Sequence, residues 1–453
     1  MNEPAAPFSF PAGPRGPMPW HAAQFARDTW GFLASCRERF GDTFTLDLPG
    51  GGKWVFLTDP EHVKQVYTGD PRIFHAGEGN SILLPLLGKH SVLLLDEKPH
   101  LRQRKLLLPP FHGKRMAGYE ELMRQISRDT IDAWPTGTPL KAWPQMQAIT
   151  LEIIMRAVFG VQEGARLDRL REALETLMAE VTKPRTMMLI ALMGEKRFAR
   201  LPAVQRRLRA VDEVLMPEIA ARRLVSDLDE RNDILSMLLQ ARDEDGELMG
   251  DRELRDELMT LLVAGHETTA TSLSWALERL VRHPEALQRL QDEVRAGESD
   301  EWMTAVIRET MRLCPVISIT VRELQEPVEI AGHRLPAGAR VVPCIHLVHR
   351  RPDLYPDPDA FVPERWLGQN PGTYTWIPFG GGVRRCLGAS FALFEMKVIL
   401  GEIVRSMDLQ TTTAPGERMR TRAITRTPGG QAEIVVARRP EVRAPEPVAV
   451  AAG

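Results

Sequence analysis

The sequence predicts a mostly α-helical protein with a few small β-sheets, and three observations carry this prediction. Apolar residues recur at three- and four-residue spacing from about residue 115 to residue 313, as in amphipathic helices. After Pro315 the chain changes to short apolar segments separated by proline and glycine. Strands and helices do not alternate regularly, which argues against a doubly wound nucleotide-binding sheet. A chain of 453 residues is long enough for two or three cores, or for one unusually large one.

The N-terminal part of the chain predicts a small β element followed by helices. Residues 1–20 contain six prolines, which favour a segment that wraps the surface or stays mobile. Two strand-like runs at 44–48 and 54–57 flank a turn of three glycines. Asp59 and Pro60 then have the N-cap and first-turn chemistry of a short helix.

Further along the chain, the longest predicted helix covers about residues 252–281. A proline cluster within 135–144 predicts a break between two earlier helices, and another helix is expected from about Cys386. A final strand pair is expected to end at 434–437. The sequence thus predicts one domain over 21–438, between the proline-rich segment 1–20 and a flexible tail at 439–453.

Composition argues against several classes of protein. The 58 Lys and Arg residues nearly cancel the 60 Asp and Glu residues, so a net charge of −2 provides no polycationic surface for nucleic acid. The four cysteines form no CxxC pair, which is typical of a reducing compartment. No signal peptide is evident, and no apolar run reaches the about 18 to 20 residues of a membrane span. These features predict a cytoplasmic protein without a membrane anchor.

Two candidate metal motifs fail on their ligands. Residues 266–270, HETTA, begin like the HExxH motif of zinc proteases, but alanine replaces the second histidine ligand. Cys344, His346 and His349 lie close in sequence without a fourth ligand nearby. A structural role is the favoured interpretation of these three residues, and a metal site is the alternative.

A glycine-dense loop at 376–388 carries the strongest local signal. It leads into an apolar helical pattern, and Cys386 stands at the expected start of that helix. Backbone N–H groups and the helix dipole favour a thiolate there, and the glycines let a flat ligand approach closely. The local residues leave two interpretations open: a thiolate that binds a ligand, or a small core cysteine.

Phe379, Gly382, Arg384, Cys386 and Gly388 match FxxGxRxCxG, the haem-binding loop of the cytochrome P-450 superfamily, and the chain resembles that family over nearly its full length. The resemblance implies a triangular helical fold with the haem between a central oxygen-binding helix and the cysteine loop. It also implies that the Cys386 thiolate is the axial ligand of haem b, that Arg384 contacts a propionate, and that Phe379 shields the sulfur.

Two further segments resemble the family independently. Glu309 and Arg312 form its ExxR motif, whose i,i+3 spacing puts carboxylate and guanidinium on one helix face. Residues 363–366 resemble its PERF segment, whose arginine, Arg365, joins the pair. Trp366 replaces the usual phenylalanine, and we expect this change to matter little. Without these companions, a surface ion pair would be the default interpretation.

Three basic residues resemble the propionate ligands of the family. His100 and Arg104 match HxxxR at the start of a helix, where i,i+4 spacing turns both side chains the same way. Arg322 resembles the third such residue. Any one of them alone is typical of a solvated cation, so the prediction depends on their order in the chain.

The expected central helix contains a segment similar to the oxygen-binding motif of the family. Residues 264–269, AGHETT, match AGx(D/E)TT, which places Ala264 beside the haem. Gly265 and the back-bonding threonines are residues that let a helix open locally. The resemblance implies that Glu267 relays protons and that Thr268 orients bound oxygen, so these two are the predicted catalytic residues.

The intact acid–alcohol pair predicts a monooxygenase that takes O2 and two external electrons and hydroxylates or epoxidises its substrate. We expect a monomer that receives electrons from a ferredoxin or flavodoxin with its NAD(P)H reductase. The alternatives are a haem-thiolate peroxygenase, isomerase or dehydratase on the same fold, or a non-enzymatic haem sensor or electron carrier. The donor is expected to dock on a basic patch formed by Arg102, Lys105, Arg350, Arg351 and Arg385.

The resemblance also implies an apolar pocket for a hydrophobic small molecule, such as a terpenoid, a steroid or a fatty-acid-like chain. The methionine-rich run 187–193 resembles the flexible lid of that pocket. The predicted pocket residues are Ile82, Leu83, Thr260, Leu261, Val263, Ser318, Ile319 and Ile424.

Overall fold

A computed structural model describes residues 7–49, 52–111, 115–160 and 164–439. Gly50 and Gly51 of the predicted turn, and residues 440–453 of the predicted tail, lie outside these ranges. The helices are α1 Met18–Arg27, α2 Thr29–Phe40, α3 Pro60–Thr68, α4 Ala76–Gly79, α5 Leu84–Leu87, α6 Glu97–Leu107, α7 Arg115–Gly118, α8 Glu120–Asp132, α9 Ala142–Phe159, α10 Ala165–Val181, α11 Pro184–Met193, α12 Glu195–Ala199, α13 Pro202–Arg223, α14 Ile234–Gln240, α15 Asp251–Arg282, α16 Pro284–Ala296, α17 Glu301–Leu313, α18 Ile345–Val348 and α19 Ala389–Ser406.

The strands are short and follow the helices in small sheets. They are β1 Thr43–Asp47, β2 Lys53–Leu57, β3 Phe74–His75, β4 Pro139–Lys141, β5 Arg322–Leu324, β6 Val328–Ile330, β7 His333–Leu335, β8 Arg340–Pro343, β9 Met407–Thr411, β10 Met419–Arg422, β11 Thr425–Pro428 and β12 Glu433–Arg438. The largest sheet has the order β1-β2-β8-β5-β3, in which β2 and β8 are parallel and the other pairs are antiparallel. The mostly helical class predicted from the sequence is confirmed.

The N-terminal elements follow their local chemistry. The predicted pairing of two early strands is confirmed, with Phe44 opposite Phe56 and their rings stacked 5.4 Å apart. The Asp59 side chain accepts hydrogen bonds from two backbone N–H groups in the first turn of α3. Residues before α1 run along these sheets, and the Thr45 N–H donates to the Ala12 carbonyl at 3.1 Å. The expected boundary at residue 20 falls inside α1.

The proline cluster at 135–144 differs from the expected simple break between helices. It contains β4, which pairs antiparallel with β12, and β12 also pairs with β9. The expected final strand pair is therefore a three-stranded sheet. Pro139 stands at the outer edge of this sheet, where a missing N–H is tolerated. The partner strand is distant in the chain, so local sequence did not indicate this pairing.

The core is organised around α15, which spans 251–282 against the predicted 252–281 and is buried along most of its length. It packs against α9, α13, α17 and α19. A Cβ on Gly265 would lie 3.1 Å from Ile154 of α9, so glycine permits the close approach of these two helices. Within the described residues, no helix is long and apolar enough to cross a membrane.

Candidate active site

The loop before α19 holds Cys386 in a compact turn. Its N–H donates to the Phe379 carbonyl at 3.0 Å, which folds the loop back on itself. At Gly382, φ is 62° and a Cβ would lie 1.7 Å from the Tyr67 carbonyl oxygen, so a side chain there would push the loop off α3. Helix α19 starts at Ala389, and the prediction that it begins at about Cys386 was wrong by three residues because the loop continues to Gly388.

Cys386 differs from the other cysteines in its surroundings. Burial of the sulfur raises the pKa of the Cys386 thiol, whereas the Gly388 N–H and the guanidinium groups of Arg104 and Arg385 lower it. The residue nevertheless presents an exposed side, while the three other cysteines of the chain are buried. Cys386 is therefore an exposed residue whose sulfur has an N–H donor and two cations nearby, and these favour a thiolate.

Basic side chains from three elements converge near this loop. His100 and Arg104 come from α6, Arg322 from β5, and Arg384 from the loop itself. Burial and the three arginines lower the pKa of His100 to about 3, so its imidazole is neutral. Burial lowers the pKa of Arg384 to about 10; Asp96 opposes this change, and Arg322 and Arg104 add to it. Arg384 is repelled by Arg104 and Arg322, so an anion would stabilise the cluster.

The cluster retains unused hydrogen-bonding capacity. Arg384 Nη2 donates to Asp96 Oδ1 at 2.5 Å, and its Nη1 donates to the Val92 carbonyl at 3.2 Å. Arg322 lies over the ring of Tyr67, 5.7 Å from its centroid. Within the described residues, the buried Nδ1 of His100 has no hydrogen-bond partner. A buried polar atom without a partner costs free energy, so this nitrogen marks a place for an external acceptor or donor.

The carboxylate of Glu309 is the centre of a second network, on α17. Arg312 binds it through Nε–Oε2 and Nη2–Oε1 contacts of 2.8 Å each, and both side chains are fully buried. Arg365 Nε and the Val362 N–H each donate to Oε1 at 3.0 Å. The indole N–H of Trp366 donates to Oε2 at 2.9 Å. Glu309 thus accepts five hydrogen bonds from four residues.

The contact of Trp366 corrects one expectation. Phenylalanine has no N–H group, so the tryptophan at this position adds a charge-assisted hydrogen bond that the usual residue cannot make. The replacement matters because it helps to satisfy a buried carboxylate, not only because it keeps an aromatic ring in place.

His349 joins this network to the cysteine loop, a role that the sequence did not indicate. Its Nδ1–H donates to the Arg312 carbonyl at 3.2 Å, and its Nε2 accepts from the Ile377 N–H at 2.8 Å. Burial lowers the pKa of His349 to about 3, which keeps the imidazole neutral and able to donate and accept at once. The structural interpretation of this histidine agrees with these contacts.

The centre of α15 presents a short exposed stretch inside a buried helix. Ala264 is exposed, whereas the residues a turn away on either side are largely buried. The hydroxyl of Thr268 donates to the Ala264 carbonyl at 2.8 Å, and that of Thr269 to the Gly265 carbonyl at 3.3 Å. The helix is continuous through these residues, so the expected local opening is not observed. Such back-bonding is compatible with an intact helix.

Comparison with known proteins settles the family. The sequence profile described as Cytochrome P450 matches residues 11–433. The chain belongs to the cytochrome P450 family. Cytochrome P450 135B1 of Mycobacterium tuberculosis is 45% identical over 433 residues, which are 94% of this chain and 91% of that protein. Cytochrome P450 135A1 of the same species is 40% identical over 444 residues, 95% of this chain and 96% of that one.

Solved structures agree on the fold. The structure described as retinoic acid bound cyanobacterial CYP120A1 has a TM-score of 0.81 at 24% identity and covers 96% of this chain and 100% of its own. The cytochrome P450DA heme domain has the same score and identity and covers 96% and 98%. The protein therefore has the predicted cytochrome P450 fold, and it is an oxidoreductase of the monooxygenase class.

The residues of this P450 fit the haem with a cysteine thiolate ligand that the family implies. Haem carries two propionate carboxylates, and the cation cluster with its unpartnered His100 nitrogen suits such anions. Exposed surfaces at Cys386 and at Ala264 suit a flat apolar ring. When bound, thiolate-ligated haem supplies the chemistry of O–O cleavage.

In this P450, Glu267 faces the C-terminal hairpin and not Thr268. Its Oε1 accepts from the hydroxyl of Thr425 at 3.0 Å and lies 3.7 Å from Nε of Arg422. Glu267 is buried, while the Arg422 side chain is partly exposed. The sequence missed Arg422, because nothing in its local pattern distinguishes it from a solvated arginine.

Glu395 is a second residue that sequence reasoning missed. It lies on α19 and is buried, and neither carboxyl oxygen has a partner of good geometry within the described residues. Burial raises the pKa of Glu395 to about 8, and the nearby Thr269 hydroxyl lowers it slightly. The carboxyl group is therefore protonated at neutral pH. A glutamate inside the apolar pattern of α19 was the available signal.

The predicted pocket residues divide into two groups. Thr260, Leu261 and Ser318 are buried, and the two hydroxyls already donate, to Ser91 Oγ at 2.7 Å and to the Pro315 carbonyl at 2.9 Å. The others retain accessible surface; they are Ile82, Leu83, Val263, Ile319 and Ile424. Helix α12 packs against the segment that contains Ile82 and Leu83.

The expected basic patch for an electron donor is wrong in most of its members. Arg102 pairs with Asp243 and Glu253, and Lys105 pairs with Glu244. Arg350 pairs with Asp359, and Arg351 with Asp42 and Asp353. These carboxylates neutralise the patch. Asp353 and Asp359 are close in sequence to their arginines, and the other carboxylates come from distant parts of the chain. Of the five residues, only Arg385 has no ion pair within the described structure, and it is exposed.

Proposed function

We propose that this cytochrome P450 inserts one atom of O2 into a hydrophobic small molecule by hydroxylation or epoxidation. Two electrons would come from a ferredoxin or flavodoxin with its NAD(P)H reductase. One observation carries the proposal: the hydroxyl of Thr268 lies at the exposed stretch of α15, next in sequence to a buried glutamate. A sensor or an electron carrier has no need of such an acid–alcohol pair.

Haem b would be held from two sides. The Cys386 thiolate is the proposed ligand of the haem iron, in the loop where Gly382 permits close packing against Tyr67. The neutral His100 and the arginine groups would bind the propionates. Binding of two carboxylates would relieve the mutual repulsion of these cations, which supports a role for the cluster beyond that of a surface charge.

Protons would pass along groups of this chain toward the exposed stretch of α15. Arg422 is partly exposed and lies beside Glu267, so it connects that buried carboxylate with solvent. The Thr268 hydroxyl, held by the Ala264 carbonyl, is positioned to pass a proton onward. Glu267 faces Thr425 and not Thr268, so the proposed transfer requires rotation of the Glu267 side chain away from the Thr425 hydroxyl.

The residues predicted to line the pocket support the proposed substrate class. The accessible predicted residues are aliphatic, and the buried hydroxyls among them are already satisfied by partners in the protein. Such walls favour an apolar ligand, such as a terpenoid, steroid or fatty-acid-like chain, over a charged one.

A first experiment tests the ligand. Cys386→Ser replaces a thiolate with a neutral alcohol, which is a poor donor to iron. The reduced carbon monoxide complex of the wild type should show the red-shifted Soret band of a thiolate ligand, and the variant should not. Cys344→Ser is the control, because Cys344 is buried elsewhere and should leave the band unchanged. An unchanged band in Cys386→Ser would remove Cys386 as the ligand.

A second experiment tests the reaction. With a surrogate reductase and ferredoxin, the wild type should convert a lipophilic substrate, found by a spectral binding screen, into a product one oxygen atom heavier. Thr268→Ala should still consume reductant but release hydrogen peroxide, with product lowered by about 100-fold or more. Ser272→Ala is a matched control, because it deletes a hydroxyl with the same back-bond one turn along α15. Equal product from all three proteins would contradict the proton pathway.

A further inference from the structure

Arg426 of β11 is a buried arginine that lacks a carboxylate partner. Within the described residues, six arginines are buried; they are Arg222, Arg255, Arg312, Arg322, Arg351 and Arg426. Four of these form ion pairs with carboxylates, with a shortest N–O distance of 2.6 to 2.8 Å in each. In this part of the chain Arg322 and Arg426 form none, and Arg322 belongs to the cluster proposed to bind the haem propionates. Arg426 thus remains without an assigned anion.

The guanidinium group of Arg426 has unused donors. Its Nη1 donates to Thr421 Oγ1 at 2.6 Å, whereas its buried Nε and Nη2 have no hydrogen-bond partner within the described residues. The guanidinium carbon lies 3.7 Å from the centre of the Trp30 ring, whose buried indole nitrogen also lacks a partner there. Burial lowers the pKa of Arg426 to about 9; the exposed Asp28 opposes this change but forms no ion pair with Arg426 in the described structure. A buried charge without a partner costs free energy, so the pair of Arg426 and Trp30 favours an external acceptor.

This pair lies against the wall of the predicted pocket. The Arg426 N–H donates to the Val316 carbonyl at 3.0 Å, three residues before Ile319. Ile319 and Trp30 pack against the same apolar core cluster. Ile424, two residues before Arg426, is 43% exposed. The unused donors therefore belong to residues next to two predicted pocket residues that retain accessible surface.

The free nitrogens of Arg426 have the arrangement that binds a carboxylate elsewhere in this chain. Arg312 binds Glu309 through its Nε and Nη2, and these are the two nitrogens that Arg426 leaves unused. We propose that Arg426, with Trp30, binds the carboxylate of a substrate whose hydrocarbon part lies in the apolar pocket. Two parallel N–H donors match the two oxygens of a carboxylate, and burial strengthens such a contact.

The proposal narrows the substrate class. The aliphatic side chains of Ile319 and Ile424 suit a hydrocarbon, so the charge is confined to one end of the molecule. A free inorganic anion offers nothing to these apolar neighbours. The favoured substrate is therefore a fatty-acid-like chain, or a terpenoid or steroid that carries an acid group. The inference rests on the proposed function for the identity of the pocket, whereas binding of the carboxylate does not depend on catalysis.

The test compares carboxylic acids with their methyl esters as ligands of the full-length holoprotein. The probes are straight-chain acids from octanoic to hexadecanoic acid, and equilibrium dialysis measures binding without turnover. The wild type should bind at least one acid at least about tenfold more tightly than its methyl ester, because a hydrogen bond to a charged group contributes more than one to a neutral group. Arg426→Met should bind that acid at least about tenfold more weakly than the wild type and bind the ester equally well.

Two further variants serve as controls. Arg340 also lies over a tryptophan, 5.3 Å from the ring centre of Trp54, but its Nε donates to Glu323 Oε2 at 3.2 Å. Arg340→Met should therefore bind acid and ester like the wild type. Arg426→Lys keeps the charge and loses the paired donors, so its affinity for the acid should be intermediate. Equal affinity of the wild type for every acid and its ester, or an unchanged acid affinity in Arg426→Met, would overturn the proposal.

The stability of the ligand-free holoprotein provides a second measurement. Arg426→Met removes a buried charge without a partner, so its melting temperature should be no lower than that of the wild type. Arg222→Met removes the cation from the buried Asp233 and should melt well below the wild type. A fall in Arg426→Met as large as that in Arg222→Met would mean that the fold itself satisfies Arg426, and the proposal would be wrong.

A free inorganic anion is the competing occupant of this site. If phosphate or chloride, and no carboxylic acid, raises the melting temperature of the wild type but not that of Arg426→Met, the substrate assignment is wrong. Turnover of a methyl ester with the surrogate reductase and ferredoxin reports on the proposed function separately. A product one oxygen atom heavier, without any preference for acids in dialysis, would contradict only this inference. A preference for acids without any oxygenated product would contradict only the proposed function.

Discussion

The Glu309 network and helix α11 are opposites within one fold. At Glu309, five hydrogen bonds from four residues converge on one fully buried carboxylate, and His349 extends the contacts to the cysteine loop. At α11, three large apolar side chains face outward. The Glu309 network holds the cysteine loop in one position, whereas α11 leaves an apolar surface exposed. The difference is between a buried, fully paired network that supports the cysteine loop and an apolar surface that the described residues leave exposed.

The largest effect should come from breaking the rigid region. Glu309→Ala leaves the buried guanidinium of Arg312 without its carboxylate, which should lower the free energy of unfolding by about 3 to 5 kcal/mol and prevent stable haem retention. Chemical denaturation and the haem content after gel filtration measure the two effects.

Glu301→Ala is the control for that change, because Glu301 is exposed in the first turn of the same helix and accepts one hydrogen bond, from the Gly368 N–H. We expect it to cost at most about 1 kcal/mol. If the free energy of unfolding falls by the same small amount in both variants, Glu309 does not support the cysteine loop.

The next effect concerns pH. Burial raises the pKa of Glu395 from 4.5 to about 8, so between these values the folded state holds a proton that the unfolded state releases. The free energy of unfolding should therefore fall as pH rises from 4.5 to 8, by a few kcal/mol, and level off above 8. Glu395→Gln removes this titration, so the free energy of unfolding of the variant should change less between pH 4.5 and pH 8. Urea denaturation at a series of pH values measures both slopes, and identical slopes would mean that Glu395 is ionised in the fold.

A smaller effect should follow from Trp366→Phe, which removes one charge-assisted hydrogen bond from Glu309 and keeps an aromatic ring. We expect a loss of about 1.5 kcal/mol in the free energy of unfolding. Trp302→Phe is the comparison, because its indole N–H donates to the neutral Ala286 carbonyl, and its loss should be nearer about 1 kcal/mol or less. If the melting temperature falls no further in Trp366→Phe than in Trp302→Phe, the hydrogen bond to Glu309 stabilises the fold no more than a bond to a neutral carbonyl.

The smallest effect should be on α11. Leu189→Ser changes an exposed side chain and should alter the free energy of unfolding by less than about 0.5 kcal/mol. Ile190→Ser, one residue further and buried, should cost at least about 2 kcal/mol. Equal costs in thermal denaturation would mean that both sides of α11 are packed, and the contrast with the Glu309 region would disappear.

Local chemistry allowed much of the fold to be predicted. The limits of α15 differ from the prediction by only one residue at each end. The accuracy is high because a long apolar helical pattern, and the residues that end it, are close together in the sequence. The N-cap of Asp59 and the pairing of β1 with β2 are equally local. The pairing of β4 with β12 was not predictable in this way, since its partners lie at opposite ends of the chain.

The candidate site shows the same division. Motif spacing identified Cys386, the Glu309–Arg312 pair and the cluster around His100, because each spacing is a property of the sequence and of the family it resembles. Contacts between distant segments decided the rest. The Trp366 N–H donates to Glu309, and Glu267 accepts a hydrogen bond from Thr425. Carboxylates neutralise most of the predicted basic patch.

By itself, the sequence determined the helical class and the residues available for chemistry, since these depend on composition and periodicity, and the resemblance of its motifs indicated the family. The tertiary structure alone decided which of those residues are charged, paired or exposed. Burial raises the pKa of Glu395 and lowers that of His100, and the exposure of Leu192 depends on which face of α11 packs inward. Desolvation and pairing are set by neighbours that the chain brings together only on folding, and no local pattern contains them.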